Sequence, residues 1–324
     1  ILKDNTIRTI TIRSSIEIKN HLLTSIEIRL KTHEEMIYEM ILEPNESRSL
    51  PIQFCSNLKE LHIRPANFAL DYCDEPISWS DIDKISQNRI SFLRSCSIGG
   101  KEAVYYFTFQ SKQTCRQSVS IYKLSILPPL IISNLLPCSL DLEMPLYPQK
   151  LQLNPYETHR EHALNILELF DLRFTTDIYR MNRSLQLPPL SELTKLKSLQ
   201  QKVCFYDQLQ RELLVDVNID CIDNYRLKIS ISVPYILLNK TGIPLIFKDN
   251  NSKLEAAGQT IDDESMINHR PLLFSSNTCV MRVGTGLHNG RPQWSQRFDL
   301  QHGSTYRQLT VRQRSEEHTL NSSH

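Results

Sequence analysis

Residues 234–248 read PYILLNKTGIPLIFK, in which two apolar runs are separated by the polar break Asn239-Lys240-Thr241-Gly242. The same arrangement occurs twice earlier, in IEIKNHLLTSIEI around Asn20 and in LIISNLLPCSLDL around Asn134. Asn134 follows Asn20 by 114 residues, and Asn239 follows Asn134 by 105. A strand-rich unit of about one hundred residues has the size of a β-sandwich. The stretch therefore predicts three related units in tandem.

Apolar residues alternate on both sides of each asparagine, at positions −4 and −2 before it and at +6 and +8 after it. These positions hold Ile16, Ile18, Ile26 and Ile28 in the first copy, Leu130, Ile132, Leu140 and Leu142 in the second, and Tyr235, Leu237, Leu245 and Phe247 in the third. Side chains alternate between the two faces of a strand. Each asparagine is therefore expected to share the buried face with the apolar residues that precede it.

A buried carboxamide needs hydrogen-bond partners, because an unsatisfied polar group costs about 1–3 kcal/mol. We expect Asn20, Asn134 and Asn239 each to tie the turn that follows to the end of its strand, as asparagine often does at turns. A second interpretation is that these asparagines line a groove at the end of a sheet that receives an extended peptide, since sheet edges capture peptides by strand addition. The two interpretations are compatible.

Other segments support an all-β fold, a tandem array of about three β-sandwich-like repeats with short helical insertions. SIEIRLK (25–31), SVSIYKLSI (118–126) and RLKISISV (226–233) read as strands, and Gly99-Gly100 reads as a two-residue hairpin turn. PPLSELTKLKSLQQK (188–202) predicts one short amphipathic helix that packs locally. The expected repeats are residues 1–113, 114–222 and 223–313.

Proline and tryptophan residues also recur around the asparagines. Pro129 and Pro234 stand at position −5, where the first copy has Ser15. Trp79 lies 59 residues after the first asparagine and Trp294 lies 55 residues after the third, whereas the second copy lacks such a Trp. We expect these residues to support the repeat cores.

Composition excludes several classes of protein. Lys and Arg total 37 against 36 Asp and Glu, so the composition supports neither a basic footprint for nucleic acid nor a polybasic membrane patch. No apolar run approaches the roughly 20 residues of a transmembrane helix. The chain starts at Ile1 without Met, which we interpret as a missing N-terminal part. Residues 314–324, RSEEHTLNSSH, abandon the apolar pattern and are interpreted as a non-native, adapter-like tail.

The eight cysteines show no C-x-x-C pair, which favours reduced thiols in an intracellular protein. The alternative is an extracellular adhesion array of β-sandwiches held by disulfides. In that alternative the sequon Asn239-Lys240-Thr241 would be a glycosylation site.

Catalytic and metal sites are not expected. Residues 157–162, ETHREH, are one residue short of H-x-x-E-H and lack a distant third ligand, so we expect a solvated loop or strand edge there. Gly284-x-Gly286 lacks the third glycine of a dinucleotide-binding fingerprint. The sequence has neither a P-loop nor a G-x-S-x-G motif, and no cofactor is predicted.

TIRSSIEIKN, LPPLIISNLLP and PYILLNKTGIPLIFK resemble the repeat starts of the adaptor-binding region, also called SHR-binding, of the vacuolar protein sorting 13 family. These are bridge-like, chorein-related lipid transfer proteins. The resemblance covers nearly all of residues 5–313. The third copy is most similar to the D-type paralogue, through residues 243–259 and 284–294.

The resemblance implies a partial array of β-sandwich repeats, with Asn20, Asn134 and Asn239 as repeat-defining or adaptor-binding residues. It implies a cytoplasmic scaffold that recruits a separate lipid-conducting rod to contact sites of the endoplasmic reticulum with mitochondria, endosomes or related organelles. The implied partners are protein adaptors, such as short Pro-x-Pro peptides or small GTPase-type proteins, so membrane association would be indirect. In the family the Pro-x-Pro pocket usually lies on later repeats. Direct binding of lipid headgroups is disfavoured by the near-zero net charge.

Overall fold

The computed structural model describes residues 14–88, 91–116, 119–144, 150–168, 170–242, 244–259, 271–288, 291–295 and 297–300. Within them the chain is all-β, as predicted, with 25 strands and three short helices. The strands are β1 (Ile16–Asn20), β2 (Ile26–Thr32), β3 (Ile37–Leu42), β4 (Ser47–Ser49), β5 (Leu58–Pro65), β6 (Ile77–Ser78), β7 (Ser91–Ser97), β8 (Ala103–Arg116), β9 (Val119–Leu127), β10 (Leu130–Asn134), β11 (Leu140–Glu143), β12 (Leu151–Leu153), β13 (Thr158–Glu161), β14 (Phe170–Thr175), β15 (Arg180–Met181), β16 (Leu185–Leu187), β17 (Ser198–Tyr206), β18 (Glu212–Asp223), β19 (Arg226–Ser232), β20 (Tyr235–Leu237), β21 (Leu245–Asp249), β22 (Leu272–Phe274), β23 (Val280–His288), β24 (Arg291–Trp294) and β25 (Phe298–Asp299). The helices are α1 (Ile52–Cys55), α2 (Trp79–Asn88) and α3 (Leu190–Leu196).

The first unit is a sandwich of two sheets, with strand orders β4-β1-β9-β8-β7 and β3-β2-β5-β6. In β2 the predicted alternation is confirmed, because its apolar residues are buried and its charged residues are partly exposed. Both sheets contribute to one core, which includes Ile16, Ile18, Phe107 and Ile126 from the first sheet and Ile26, Ile28, Leu30 and Leu61 from the second. Burial of these apolar faces against each other holds the two sheets together.

The second unit is built on one curled sheet, with strand order β12-β11-β14-β15-β17-β18-β19-β10-β13 and with β16 paired to β14. Residues from both ends of this sheet share a single core, among them Ile132, Leu142, Phe174, Phe205 and Ile229. The two-residue strand β15 connects the two halves. Helix α3 adds Leu190 and Leu193 to the same core.

The strands that carry Asn20 and Asn134 have the same neighbours. β1 pairs antiparallel with β4 and parallel with β9, and β10 pairs antiparallel with β13 and parallel with β19. In the parallel pairs Asn20 lies opposite Ile126 and Asn134 lies opposite Ile231. The carbonyls of these two isoleucines accept hydrogen bonds from the N–H of the residue after each asparagine, His21 and Leu135, at 2.9 Å in both units.

The third unit has a smaller described core of Phe247, Phe274, Met281 and Val283. It contains the pair β20–β22 and a sheet of order β21-β23-β24, with β25 beside β23. The segment 314–324 lies outside the described residues.

Strand pairing suggests different unit boundaries from those expected. The boundary at 113/114 falls inside β8, and the one at 222/223 falls at the end of β18. Because β9 and β19 pair with the first strands of their own units, we propose that the units change at residues 128–129 and 233–234.

The helices only partly follow the expectation. Helix α3 begins after Pro188-Pro189 as predicted but ends at Leu196, because Lys197 adopts φ 62° and residues 198–202 belong to β17. Helix α2 was not predicted, although Ser78 and Asp81 form a capping box in which each side chain accepts the other residue's N–H, at 3.1 and 3.2 Å. The hairpin around Gly99-Gly100 is confirmed by the pairing of β7 with β8, but its connection spans residues 98–102 rather than the two residues predicted.

Candidate functional site

Asn20 is the last residue of β1 and is fully buried, as strand parity predicted. Its Nδ2 donates to the carbonyls of Thr24, Leu42 and Glu43 at 2.9, 3.1 and 3.2 Å. Its Oδ1 accepts the N–H of Leu22 at 2.9 Å. The predicted tie to the following turn is therefore confirmed. The side chain also reaches the end of β3, which sequence reasoning did not foresee.

Asn134 repeats this arrangement in the second unit. Its Nδ2 donates to the carbonyls of Cys138, Asn154 and Leu153 at 2.9, 2.9 and 3.4 Å, and its Oδ1 accepts the N–H of Leu136 at 3.0 Å. It is also fully buried. Each carboxamide thus anchors the carbonyls at the end of an outermost strand, β3 in one unit and β12 in the other.

Both carboxamides donate to the carbonyl of the first residue of a turn that contains Pro-x-Glu. The two turns are Glu43-Pro44-Asn45-Glu46 and Asn154-Pro155-Tyr156-Glu157. The residue after each proline has a positive φ, 63° for Asn45 and 61° for Tyr156, as a type II turn requires. The glutamate carboxylate accepts the N–H of the first turn residue, at 2.8 and 2.7 Å. The repeated Pro-x-Glu was a sequence signal for this turn, and sequence reasoning missed it.

Asn239 differs from the other two. It lies two residues beyond the end of β20 and is 8% exposed. Its Oδ1 accepts the N–H and the hydroxyl of Thr241, at 3.1 and 2.7 Å, which forms a local turn. Ile243, which corresponds in position to Thr24 and Cys138, lies outside the described residues.

The residue five positions before each of the first two asparagines accepts a backbone hydrogen bond through its carbonyl. The carbonyl of Pro129 accepts the N–H of Leu227 at 2.9 Å, and the carbonyl of Ser15 accepts the N–H of Tyr122 at 2.7 Å. Because proline lacks only the N–H, it can occupy this position without loss of that bond. Pro234 directly precedes β20.

The two tryptophans occupy different elements. Trp79 is the first residue of α2 and packs against the first core, with its ring centroid 5.0 Å from that of Tyr122. Trp294 is the last residue of β24, and the Nζ of Lys248 lies 4.3 Å from its ring centroid. Their shared spacing from an asparagine therefore does not place them at equivalent sites.

Strand β3 has an open edge, since among the described residues it pairs only with β2. The hairpin bond from Thr32 N to Met36 O sets the alternation of hydrogen-bonded pairs along these strands. It follows that the backbone N–H and C=O groups of Ile37, Glu39 and Ile41 point away from β2. The side chains of Ile37 and Ile41 are 60% and 49% exposed.

The segment 157–162 is a strand edge that is partly buried rather than solvated. His162 is 9% exposed and contacts the first unit, with its ring stacked on Tyr105 at 4.8 Å and its carbonyl accepting the N–H of Tyr106 at 2.6 Å. His159 instead pairs with Glu161 at 3.3 Å. Among the described residues, no group of three or more His, Cys, Asp or Glu is placed to hold a metal ion.

Burial lowers the pKa of His162 to about 4, although its contact with the Tyr106 backbone and the charge of Glu161 raise it. Burial alone would raise the pKa of Glu161, but hydrogen bonds from His159 and from the N–H groups of Ala163 and His162 lower it to about 2. The junction between the first two units therefore favours a neutral His162 and a charged Glu161.

Acidification is expected to weaken this junction. The stability associated with neutral His162 is complete above its ordinary pKa of 6.5 and is lost as pH falls toward about 4. This shift corresponds to at most about 3 kcal/mol. The charged Glu161 adds a loss below its ordinary 4.5. Melting temperatures between pH 7.5 and 4 should fall more steeply for the native chain than for His162→Phe, which keeps the stacked ring. Parallel slopes would contradict this prediction.

A second junction joins the second and third units. The carboxylate of Asp207 accepts hydrogen bonds from the Nε of Arg211 and from the backbone N–H of Gly258, both at 2.8 Å. Arg211 also donates to the carbonyl of Gln259. The Gln259 side chain bonds both the N–H and the C=O of Phe247, at 2.8 and 2.9 Å. No local sequence pattern identifies these residues, because the two sides of the junction, Asp207 and Gly258, lie about 50 residues apart in the chain.

None of the eight cysteines forms a disulfide in the structure. Among the described residues, none of the helices has the length and apolar character that crossing a bilayer requires.

A family model described as vacuolar-sorting associated protein 13, adaptor binding domain, matches residues 1–323. The chain is 31% identical over 334 residues to the human intermembrane lipid transfer protein VPS13D, covering 94% of the chain and 7% of that protein. It is 26% identical over 332 residues to Vps13D of Drosophila melanogaster, covering 97% and 8%. It is 25% identical over 328 residues to VPS13 of Chaetomium thermophilum, covering 92% and 10%.

The chain thus spans a tenth or less of the length of these relatives. The matched range extends into residues 314–324, so the interpretation of that segment as a non-native tail stays a prediction. Two of the three relatives are D-type proteins, in agreement with the resemblance of the third copy. With the family model matched across almost its whole length, the chain belongs to the family of vacuolar-sorting associated protein 13 adaptor binding domains.

Proposed function

We propose that the chain is a non-catalytic adaptor-binding scaffold of a bridge-like lipid transfer protein, which recruits that protein to organelle membranes at contact sites. The observation that carries this proposal is the match of the adaptor binding domain model to residues 1–323. The relatives are named intermembrane lipid transfer proteins, and the chain spans 7–10% of them. Lipid carriage is therefore assigned to a rod outside this chain. The proposed location is cytoplasmic and peripheral, on the surface of the organelles that display the adaptor.

In this proposal Asn20 and Asn134 position the binding surface and do not touch the adaptor. Their carboxamides are fully buried and bonded to backbone groups. Loss of either side chain would release the carbonyls at the end of β3 or β12. Asn239 is assigned the corresponding role in the third unit.

The open edge of β3 is the proposed capture surface. An extended adaptor segment can pair with the outward backbone groups of Ile37, Glu39 and Ile41, while its side chains cover the exposed Ile37 and Ile41. Natural proteins usually protect such edges with Lys, Pro or a bulge. The strand IYEMIL contains neither Lys nor Pro, and its single charged residue, Glu39, is held by Arg29 at 2.6 Å. Short peptides, Pro-x-Pro segments among them, and small GTPase-type adaptors are the proposed partners.

Ile41→Lys should reduce adaptor capture about tenfold without unfolding the chain, because a charge on an open edge opposes strand addition but faces solvent in the free protein. Proximity labelling with the whole chain would nominate adaptors, and pull-down with each purified adaptor would measure direct binding. Lys228→Glu on an exposed position of β19 serves as the charge control.

Failure of every nominated adaptor to bind the purified native chain would contradict the scaffold proposal. Equal capture by the native chain and Ile41→Lys would contradict the β3 surface alone.

A further inference from the structure

The curled sheet of the second unit is incomplete along β17. On one side β17 pairs with β18 over its full length, Ser198 to Tyr206. On the other side it pairs with β15 only at Phe205 and Tyr206. Among the described residues, the preceding part of this second edge has no strand partner.

A groove of about 600 Å³ runs along this open part of β17. One wall is the turn between β15 and β16, with Asn182, Arg183 and Ser184. The other wall is β17 itself, with Gln201, Lys202 and Val203. The groove therefore lies where a further strand would complete the sheet.

The hydrogen-bond alternation shows which backbone groups face the groove. The bonds from Asp207 N to Arg211 O at 3.2 Å and from Cys221 N to Lys197 O at 2.9 Å identify the odd-numbered residues of β17 as those bonded to β18. The N–H and C=O groups of Gln200 and Lys202 consequently point toward the groove. Donors and acceptors alternate along this edge, as another peptide backbone requires.

Two of the residues that line the groove, Arg183 and Lys202, are cationic. Arg183 and Lys202 are both exposed, and neither forms an ion pair with any described residue. The described residues that line the groove include no Asp or Glu. Carboxylates occur on the next strand, where Asp216 is in register with Lys202 and Glu212 contacts Cys204 at the far end of the groove, but they do not line the groove.

We infer that this groove binds an extended acidic segment of a partner protein, as an added strand beside β17. Its acidic side chains would meet Arg183 and Lys202. Every second side chain of the bound segment would point to the other face of the sheet, the face on which Val203 packs against the core of the second unit. Those side chains of the segment would therefore be apolar. A lipid headgroup fits less well, because it would use the cations and leave the alternating backbone groups unpaired. This inference goes beyond the proposed function and does not involve the β3 edge.

The test uses a fluorescein-labelled peptide of four Glu-Val repeats and the whole chain. Saturable binding is expected by fluorescence anisotropy, at least tenfold weaker in the double variant Arg183→Glu/Lys202→Glu. The matched control is Arg173→Glu/Lys228→Glu, which makes the same charge change at exposed positions of β14 and β19 and should bind like the native chain. A Lys-Val peptide should not bind. Amide exchange in residues 198–204 should slow when the Glu-Val peptide is present.

Three results would overturn the inference. The first is no saturable binding of the Glu-Val peptide, and the second is equal binding by the native chain and the groove variant. The third is groove-dependent binding of vesicles of phosphatidylserine and phosphatidylcholine without any binding of the peptide, which would assign the cations to a lipid headgroup. Adaptor capture measured with Ile41→Lys is independent of each result, so failure here and failure of the proposed function are distinguishable.

Discussion

Replacing Gly258 by alanine is expected to destabilise the junction of the second and third units by about 3 kcal/mol or more. Gly258 has φ +80°, and a Cβ there would collide with the hydroxyl oxygen of Tyr179. Tyr179 is itself buried, and its hydroxyl donates to the carbonyl of Ala257 at 3.1 Å. The substitution would therefore combine backbone strain with a collision against the Tyr179 ring, which its buried surroundings keep from moving aside. Urea unfolding monitored by amide exchange in residues 244–259 would measure the loss.

Gly242→Ala provides the matched control for Gly258→Ala. Its φ is +75°, but a Cβ there would meet no atom within 4 Å, so only the backbone cost of about 1–2 kcal/mol is expected. Tyr179→Phe removes the nearest atom and should recover part of the loss in the double variant. Equal effects of Gly258→Ala and Gly242→Ala would contradict the predicted collision.

Asn134→Ala is expected to cost about 3 kcal/mol, because four backbone groups lose their side-chain partner inside the second unit. Asn134→Asp should be worse at neutral pH. A carboxylate cannot donate to the three carbonyls that Nδ2 now contacts, and a buried charge without a partner is strongly unfavourable. Free energies of unfolding from urea titration would rank the variants, and amide exchange should rise first in residues 151–157.

Asn182→Ala removes an exposed asparagine from the same unit and should change stability by no more than about 0.5 kcal/mol. If Asn134→Ala lowers the free energy of unfolding no more than Asn182→Ala does, the buried contacts of Asn134 contribute little to stability. Asn20→Ala is expected to behave like Asn134→Ala, since the two carboxamides make equivalent bonds.

The strands and their buried faces could be predicted because period-two alternation is a local property. Ile26, Ile28 and Leu30 are all fully buried, and the same parity argument placed Asn20 and Asn134 inside. Two local signals were available and missed, the Pro-x-Glu turns and the Ser78–Asp81 capping box. The unit boundaries stay a prediction, because an extended strand such as β8 carries no mark of the unit to which it belongs.

The all-β class, the recurrence of an inward-facing asparagine and the turn beside each one follow from local residue patterns. The groups that those asparagines hold are visible only in the folded chain. The carbonyls of Leu42 and Glu43 reach Asn20 across more than twenty residues, and every residue has a carbonyl, so no residue type signals that contact. The same applies to Gly258 against Tyr179 and to the open edge of β17. Close approach and missing partners depend on how distant strands are brought together, which local periodicity does not encode.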